Sequence, residues 1–331
     1  MSLQILKPGL LDTIQDEGRY GYSHLGINHS GAMDRVGLAI ANYLVGNSAE
    51  EAVLEIHFPA PEIRLDTPVL LALAGANFSA EVDGVSLPLH TPVLLQAGVS
   101  IKFQKKLSGT RCYLAVGGGF VLEHWLGSCS TNLATGAGGW KGRALRAGDV
   151  LALRQNTFGA QLGSDEKMRC LPWSANVSDF YPANQPIRFC PGPEYAWLDA
   201  ESKSNLEKTD WQITAQSNRM GYRLKGAGLQ QQHTTELVSS AVTPGTIQLL
   251  PNGQPIILMT DSQTTGGYPR IGQVIQADLP QLAQLGAGQS FPLQAVSLDA
   301  VFAALQEQMQ LLRRVQTGCR LKLAAMLTTQ H

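Results

Sequence analysis

Short apolar runs bounded by proline or glycine dominate this chain and limit what it can fold into. Such runs occupy residues 68–75, 93–98, 111–116 and 255–260. Their length and their flanking residues favour strands buried on both faces over helices, which need longer periodic segments. Residues 99–104 alternate apolar and polar side chains, as expected for a strand with one face in water. With 34 glycines, 17 prolines and only 15% charged residues, the sequence predicts many short strands joined by tight turns.

Helices are predicted at three places. Residues 34–44 carry apolar side chains at helical spacing, with Asp34 in the N-cap position. A short helix is predicted over residues 278–285. A longer one is predicted over residues 297–316, lined by Val301, Phe302, Leu305, Met309 and Leu312. We expect the tail after Gly318 to be loosely held. Antiparallel short strands with glycine corners and few helices predict a mainly β fold of closed barrels, which have no exposed sheet edges.

The length of 331 residues exceeds that of one ordinary compact domain. A weak internal repeat is visible, because three segments of the first half match three of the second in order and in apolar and glycine pattern. They are residues 30–35, 67–75 and 94–103 against residues 217–223, 254–262 and 282–291. Chance similarity among strand-rich segments and duplication of one β-fold both explain the match, and we favour duplication. We predict domains at residues 1–160 and 161–331, with the break inside the polar stretch 156–185.

Composition and charge argue against several classes of protein. The net charge of −1, with scattered lysines and arginines, provides no field that would attract nucleic acid or an anionic membrane. The five cysteines are widely spaced and form no CxxC pair, so free thiols in a reducing compartment are expected. The N-terminal residues do not have the pattern of a secretory signal, and the longest apolar stretches are about half a membrane span. We therefore expect a cytoplasmic protein.

Glycine-rich polar loops are the remaining candidates for chemistry, because the P-loop, dinucleotide, zinc-protease, nucleophile-elbow and biotin-acceptor motifs are absent. These loops occupy residues 26–34, 117–119, 127–131, 136–143 and 261–270. Residues 261–270 combine a carboxylate, hydroxyls, an amide, a phenol and a cation, which is more than a turn requires and favours a functional role. For Asp34, helix capping is favoured over catalysis. The residues alone indicate a site for a small polar or anionic ligand.

Several segments in order along the chain resemble one protein family. They are residues 8–18, 30–34, 41–47, 113–119, 126–131, 143–149, 191–194, 217–226, 242–248 and 261–270. The family is variously called allophanate hydrolase subunit 2-like, biotin-dependent carboxyltransferase-like, KipA and the C subunit of 5-oxoprolinase. The resemblance implies cyclophilin-like β-barrels in tandem. The chain departs from the pattern of this family at two places. Residues 57–61 stand where the family has a plainer stretch of apolar residues with glycine and proline. Cys129 stands where the family has an arginine, which weakens an anion-binding role for the turn of residues 127–131.

The resemblance implies membership of a complex that opens 5-oxoproline to glutamate at the expense of ATP. The implied partners are the A and B subunits of such a complex, of which the B subunit is KipI-like, and the implied cofactors are ATP and Mg²⁺. Phosphorylation of the amide oxygen would make the lactam a better electrophile, and water would then attack it with the help of a general base. The candidate catalytic residues are Asp34, Asp261, Arg219 and Arg270. The candidate substrate- or nucleotide-binding residues are Ser30, Gly31, Met33, Lys141, Arg143, Asn218, Gln263, Thr264, Gly266, Gly267 and Tyr268.

Three alternatives stay open at this point. The chain resembles proteins that move a carboxyl group from carboxybiotin to urea or a related amide, although it has no biotin attachment site of its own. It also resembles KipA, a non-catalytic partner of a KipI-like protein. For Arg219, an inter-domain salt bridge competes with a role as anion clamp. In the oxoprolinase interpretation, we expect the isolated chain to be inert.

Overall fold

A computed structural model describes residues 1–154, 166–182, 185–232 and 236–328. The described residues are mainly β with few helices, which confirms the predicted fold class. Contacts between Cα atoms divide the chain into two compact units, each formed by more than one segment. The first unit contains Met1–Gly18, Asp34–Asp179 and the chain from Gln310 onward, and the second contains Arg19–Met33 and Phe180–Met309. The predicted boundary at residues 160 and 161 lies outside the described residues and stays a prediction.

The first unit contains two antiparallel sheets, each with six strands among the described residues, together with a buried helix near its N-terminus and part of the C-terminal helix. Its strands are β1 (Ser2–Lys7), β2 (Thr13–Gln15), β3 (Val53–Ile56), β4 (Glu62–Leu65), β5 (Val69–Asn77), β6 (Ala80–Val82), β7 (Val85–Ser86), β8 (Val93–Leu95), β9 (Ser100–Phe103), β10 (Ser108–Val116), β11 (Val150–Ala152) and β12 (Met168–Cys170). The sheet orders are β11-β1-β4-β9-β6-β7 and β12-β8-β5-β10-β3-β2. The predicted strands at residues 68–75, 93–98, 99–104 and 111–116 are confirmed. The first six residues of β5 are buried, as expected for a strand covered on both faces.

Helix α1 (Arg35–Leu44) packs against β5 and β10 in the first unit. The Asp34 side chain accepts a hydrogen bond from the Gly37 N–H at 2.8 Å, which satisfies one of the free amides at the helix start and confirms the predicted N-cap. Every residue of α1 after Arg35 is buried. Burial of its mostly apolar side chains stabilises a helix only ten residues long, which would be marginal in isolation.

The second unit is built around a closed barrel of seven strands. The strands of this unit are β13 (Ile187–Pro191), β14 (Asp210–Ile213), β15 (Gly221–Lys225), β16 (Ser240–Ala241), β17 (Thr246–Leu249), β18 (Pro255–Leu258), β19 (Thr265–Gly266), β20 (Arg270–Val274) and β21 (Ser290–Ala295). The barrel order is β13-β20-β17-β18-β15-β14-β21, closed by the parallel pair β13 and β21, while β16 and β19 form a separate ladder. The core contains large side chains such as Trp211, Phe189 and Ile257, each fully buried. Helix α2 (Ala200–Lys208) packs against β21.

One turn geometry recurs in both units. A glycine with positive φ donates its backbone N–H to the carbonyl of a residue at the end of a strand. The N–H of that strand residue in turn donates to the carbonyl of the residue that follows the glycine. Gly98 and Val99 bond Leu65 of β4 in this way, and Gly288 and Gln289 bond Ile213 of β14. The φ values of Gly98 and Gly288, 84° and 86°, are ones that only glycine adopts readily. The predicted repeat places Gly98 opposite Gly286 and not Gly288, and residues 30–35 lead into a helix whereas residues 217–223 lead into a strand, so duplication stays a prediction.

The C-terminal region differs from its prediction. Helix α3 (Leu279–Ala283) is shorter than expected, while α4 (Leu298–Thr328) continues far past residue 316. The expectation of a loosely held tail after Gly318 is wrong for the described part of that tail, because Cys319 and Leu323 are buried, each 4% exposed. The predicted lining of α4 is also partly wrong, since Phe302 and Met309 are exposed. In the described part of the chain, no helix combines the length and apolar character needed to cross a membrane.

Candidate functional site

The loop of residues 261–270, predicted to be functional, joins β18 to β20 in the second unit. The Asp261 side chain accepts two hydrogen bonds from Arg219, at 2.7 Å from Nε and 3.2 Å from Nη2. The same Nη2 donates to the carbonyl of Gly31 at 2.6 Å, and the Arg219 carbonyl accepts from the Asp261 N–H at 2.9 Å. Arg219 is only 5% exposed. The two charges therefore neutralise each other, and both residues of this ion pair lie in the second unit, so the pair itself is not a salt bridge between domains.

Segment 28–33 runs beside the end of β18 in the same unit. The Ser30 N–H donates to the Thr260 carbonyl at 3.1 Å, and the Thr260 hydroxyl donates to the Met33 sulfur at 2.7 Å. The Asn28 carboxamide donates to the Asp261 carbonyl at 2.8 Å. Ser30 and Met33 are buried. These contacts give Ser30, Gly31 and Met33, which were predicted to bind ligand, a role in fixing the loop that carries Asp261.

Arg270 is also engaged by a carboxylate, that of Glu194. Its Nε and Nη2 donate to the two Glu194 oxygens at 3.0 and 2.9 Å, and its backbone N–H donates to the same carboxylate at 2.9 Å. These bonds from Arg270 lower the pKa of Glu194 below its usual value. The prediction that Arg270 and Arg219 clamp an anion is therefore not supported, because both guanidinium groups already hold carboxylates of the chain.

Three other candidates, Asp34, Lys141 and Arg143, belong to the first unit. Asp34 caps α1, and its N–H donates to the Tyr113 hydroxyl, which in turn donates to Glu55 at 2.9 Å. Arg143 makes two hydrogen bonds to Asp149, at 2.7 and 2.8 Å, which lower the pKa of that carboxyl to about 2. Lys141 lies over the Trp140 ring, 5.3 Å from its centre. Asp34 is buried and Arg143 is paired with Asp149, which gives both of them structural roles, whereas Lys141 is exposed and its contact is with the Trp140 ring.

The hydrogen-bond donors of the turn at residues 127–131 contact the carboxylate of Asp16. The hydroxyls of Ser128 and Ser130 and the N–H of Cys129 all donate to this carboxylate. A negative partner at this position leaves no positive environment for an anion. Burial raises the pKa of the Cys129 thiol to about 11, so it is a poor nucleophile.

A cavity of about 470 Å³ lies on the outer face of the barrel, over β15, β18 and β17. Its floor contains Gly221, Ile256, Leu258 and Gln248. The exposed residues around it include Asn218, Gln263 and Tyr268, which are three of the predicted binding residues. Arg223 is also exposed there, although it was not among the residues predicted to bind a ligand. A cavity of this size lies within the usual range for small-molecule sites.

Carboxamides dominate the lining of this cavity. Five of the described lining residues carry one, namely Gln216, Asn218, Gln248, Asn252 and Gln263, whereas none carries a carboxylate or an imidazole. A carboxamide provides both a donor and an acceptor, which matches the N–H and C=O of another amide. The cavity can therefore bind a small polar amide, but these lining residues provide no evident general base.

Three further predicted residues lie next to the cavity. A Cβ at Gly266 would lie 2.6 Å from Nε2 of Gln248, so a larger residue would displace this buried carboxamide. The Thr264 carbonyl accepts from the Val242 N–H at 3.0 Å, and Gly267 lies against the backbone of Leu237. These residues shape the loop that carries Gln263 and Tyr268. Polar side chains that alternate with apolar ones, as in Tyr222-Arg223-Leu224, could have indicated the outer face of β15 from sequence.

The residues around the cavity do not fit a magnesium–nucleotide complex. Mg²⁺ in such complexes is usually held by one or two carboxylates together with phosphate oxygens, and no carboxylate is among the described residues that line the cavity. Across the described residues, no group of three or more His, Cys, Asp or Glu side chains could hold a metal ion. The predicted role of residues such as Asn218 and Gln263 in nucleotide binding is therefore less favoured than a role in amide binding.

The chain is similar to known proteins in both sequence and structure. A family model described as carboxyltransferase domain, subdomain A and B, matches residues 25–295. The chain is 39% identical to the C subunit of 5-oxoprolinase from Escherichia coli, over 92% of the chain and 95% of that protein. It is 31% identical to a putative urea carboxylase of Emericella nidulans, over 96% of the chain but 26% of that protein. The crystal structure of Kluyveromyces lactis urea carboxylase matches with a TM-score of 0.86 at 25% identity, covering 96% of the chain and 29% of that structure.

Proposed function

Because the chain belongs to the carboxyltransferase domain family of subdomains A and B, we propose that it is one subunit of a cytoplasmic 5-oxoprolinase complex. The complex would convert 5-oxo-L-proline to L-glutamate with the use of ATP. Similarity to the C subunit of 5-oxoprolinase extends over nearly the whole length of both proteins. Similarity to the putative urea carboxylase extends over about a quarter of that much longer protein. The higher identity to the C subunit, 39% against 31%, and the coverage of 95% of that protein therefore favour the oxoprolinase proposal.

Within this proposal, the cavity on the barrel binds the cyclic amide. The observation that carries this assignment is that the described lining residues include five carboxamides and no carboxylate. Such groups form neutral hydrogen bonds with a lactam N–H and C=O without ionising it. The exposed Gln263 and Asn218 are the residues we assign to this contact. Gln248, only 1% exposed, supports the loop above it, because its carboxamide lies 3.5 Å from the Tyr268 carbonyl.

The chemical step needs groups that the cavity does not supply. ATP and Mg²⁺ would provide activation of the amide oxygen, and the residues that hold them would lie outside this cavity. The implied A and KipI-like B subunits are the proposed sources of these groups. An isolated chain would then bind the lactam without turning it over.

A reconstitution experiment tests membership of the complex. The chain is co-expressed with the A and B subunits of a 5-oxoprolinase, and ATP-dependent release of glutamate from 5-oxoproline is measured. We expect release that disappears when this chain is omitted. Glutamate release by the purified chain alone, or equal release without the chain, would refute the proposal.

A second candidate function is carboxyl transfer from carboxybiotin to urea or a related amide. The family description and the likeness to urea carboxylase favour it. It requires a separate biotin carboxylase and carrier. Carboxylation of urea by the chain with these two proteins, together with no glutamate release from a well-formed complex, would favour this function. If the chain binds a KipI-like protein and no mixture turns over either substrate, a KipA-like regulatory role would remain.

A further inference from the structure

The strand register aligns three cavity residues across the barrel. Arg223 of β15 pairs with Ile256 of β18, and Ile256 pairs with Gln248 of β17. Neighbouring strands lie about 4.8 Å apart, so the backbones of Arg223 and Gln248 are roughly 10 Å apart with Ile256 between them. Gly221 lies two residues before Arg223 on the same outer face. A Cβ there would lie 2.9 Å from Cδ1 of Ile256, so the absence of a side chain keeps the floor open.

Arg223 differs in its environment from Arg219 and Arg270, the two arginines predicted from the sequence to be functional. Arg219 and Arg270 each hold a carboxylate of the chain. The Arg223 side chain is exposed at the cavity and has no ion pair with any of the described residues. Among the described lining residues it is the one charged group. An unneutralised guanidinium beside neutral carboxamides is suited to a ligand that carries one carboxylate next to an amide.

We propose that Arg223 binds the carboxylate of the substrate while the carboxamides of Asn218 and Gln263 contact its ring amide. This inference rests on the proposed function and extends it to the substrate class. The site would select small lactams with a carboxylate beside the ring nitrogen over neutral amides such as urea. Arg223 is a specificity-determining residue in this assignment, and it takes no part in proton transfer.

Calorimetric titration of the chain with two lactams tests the assignment. 5-Oxoproline carries the carboxylate, and 2-pyrrolidinone has the same ring without it. We expect Arg223→Gln to weaken binding of 5-oxoproline about 10- to 100-fold, as expected for loss of a hydrogen bond to a charged group. Binding of 2-pyrrolidinone should be unchanged. Arg223→Lys should recover part of the affinity for 5-oxoproline, because it keeps the charge but loses the two-pronged geometry.

Lys225→Gln is the matched control. Lys225 is exposed on the same strand and on the same face, but it does not line the cavity. Its substitution removes the same charge and should leave both affinities unchanged. Equal thermal midpoints would show that none of the variants has altered the fold.

Two results would overturn the assignment in different ways. If 5-oxoproline binds Arg223→Gln as tightly as the unsubstituted chain, or if both lactams lose affinity equally, Arg223 does not recognise the carboxylate, and the proposed function survives. If the unsubstituted chain binds neither lactam, both this inference and the assignment of the cavity as the amide site fail. Tight binding of urea that is indifferent to Arg223 would support the carboxyltransferase alternative instead.

Discussion

Replacing Asp261 with asparagine removes the negative partner of Arg219 while keeping the size of the side chain. The side chains of Arg219 and Asp261 are 6% and 11% exposed, so the variant leaves a buried guanidinium without its counter-charge. Breaking a buried ion pair from one side costs about 3–5 kcal/mol, and we expect about 3 kcal/mol because the asparagine oxygen still accepts one hydrogen bond. For a domain of this size, that loss lowers the thermal midpoint by roughly 6–12 °C.

Differential scanning calorimetry on Asp261→Asn, Arg219→Met and the double variant measures this effect. If the pair stabilises the second unit, the double variant should lose clearly less stability than the sum of the two single losses. The control is Asp83→Asn. It removes the partner of Lys167 in an ion pair whose side chains are 71% and 49% exposed, and exposed pairs contribute little.

A structural role for Asp261 would be contradicted by a combination of unchanged stability and lost activity. If Asp261→Asn unfolds at the temperature of the unsubstituted chain while the reconstituted complex loses glutamate release, then Asp261 acts in catalysis. The ion pair would then be incidental to the fold. If Asp261 has a structural role, we expect the opposite result. The variant should unfold at a lower temperature, and its activity should fall only in proportion to the fraction of the protein that is unfolded.

Three further predictions concern the first unit. Leu323 is only 4% exposed, and Leu323→Ala should lower the free energy of unfolding by about 2–5 kcal/mol. Leu321 is 63% exposed, so Leu321→Ala should change the free energy of unfolding little. Thermal unfolding of the two variants measures the difference. Burial raises the pKa of Asp12 from 3.8 to about 7, so the folded state binds this proton more tightly than the unfolded chain does. Its contribution to stability is therefore full below pH 3.8 and is lost as pH rises toward 7, and Asp12→Asn should flatten that part of a stability–pH curve. Tyr113→Phe leaves Glu55 without the phenol donor and should cost about 1–3 kcal/mol in a urea titration.

Local patterns in the sequence predicted most of the fold. Apolar runs with glycine or proline at their ends gave the correct strands, because both period and flanking residues reflect backbone geometry. The extent of α4 was not predictable in this way. Gly318 disfavours a helix by about 1 kcal/mol, but packing of Cys319 and Leu323 outweighs it. Apolar residues also occur on more than one side of α4, so periodicity could not select the buried face.

The sequence predicted which segments form the candidate site, but it did not predict the role of each residue in it. Residues 217–223 and 261–270 do meet in the second unit, and Asn218, Gln263 and Tyr268 do line its cavity. The pairing of charges could not be predicted, because Glu194 is 76 residues from Arg270 and Asp261 is 42 from Arg219. Without the register of β15, β17 and β18, a sequence cannot reveal which arginine is left unneutralised.

We propose above that the cavity on the barrel binds the cyclic amide of an oxoprolinase reaction. The most direct test is steady-state glutamate release by the reconstituted complex carrying Gln263→Ala in this chain. Gln294→Ala, at an exposed carboxamide on β21 that does not line the cavity, serves as the control. We predict a raised KM for 5-oxoproline or loss of turnover for Gln263→Ala, with normal assembly and normal kinetics for the control. Unchanged kinetics for both variants would contradict the assignment of the site.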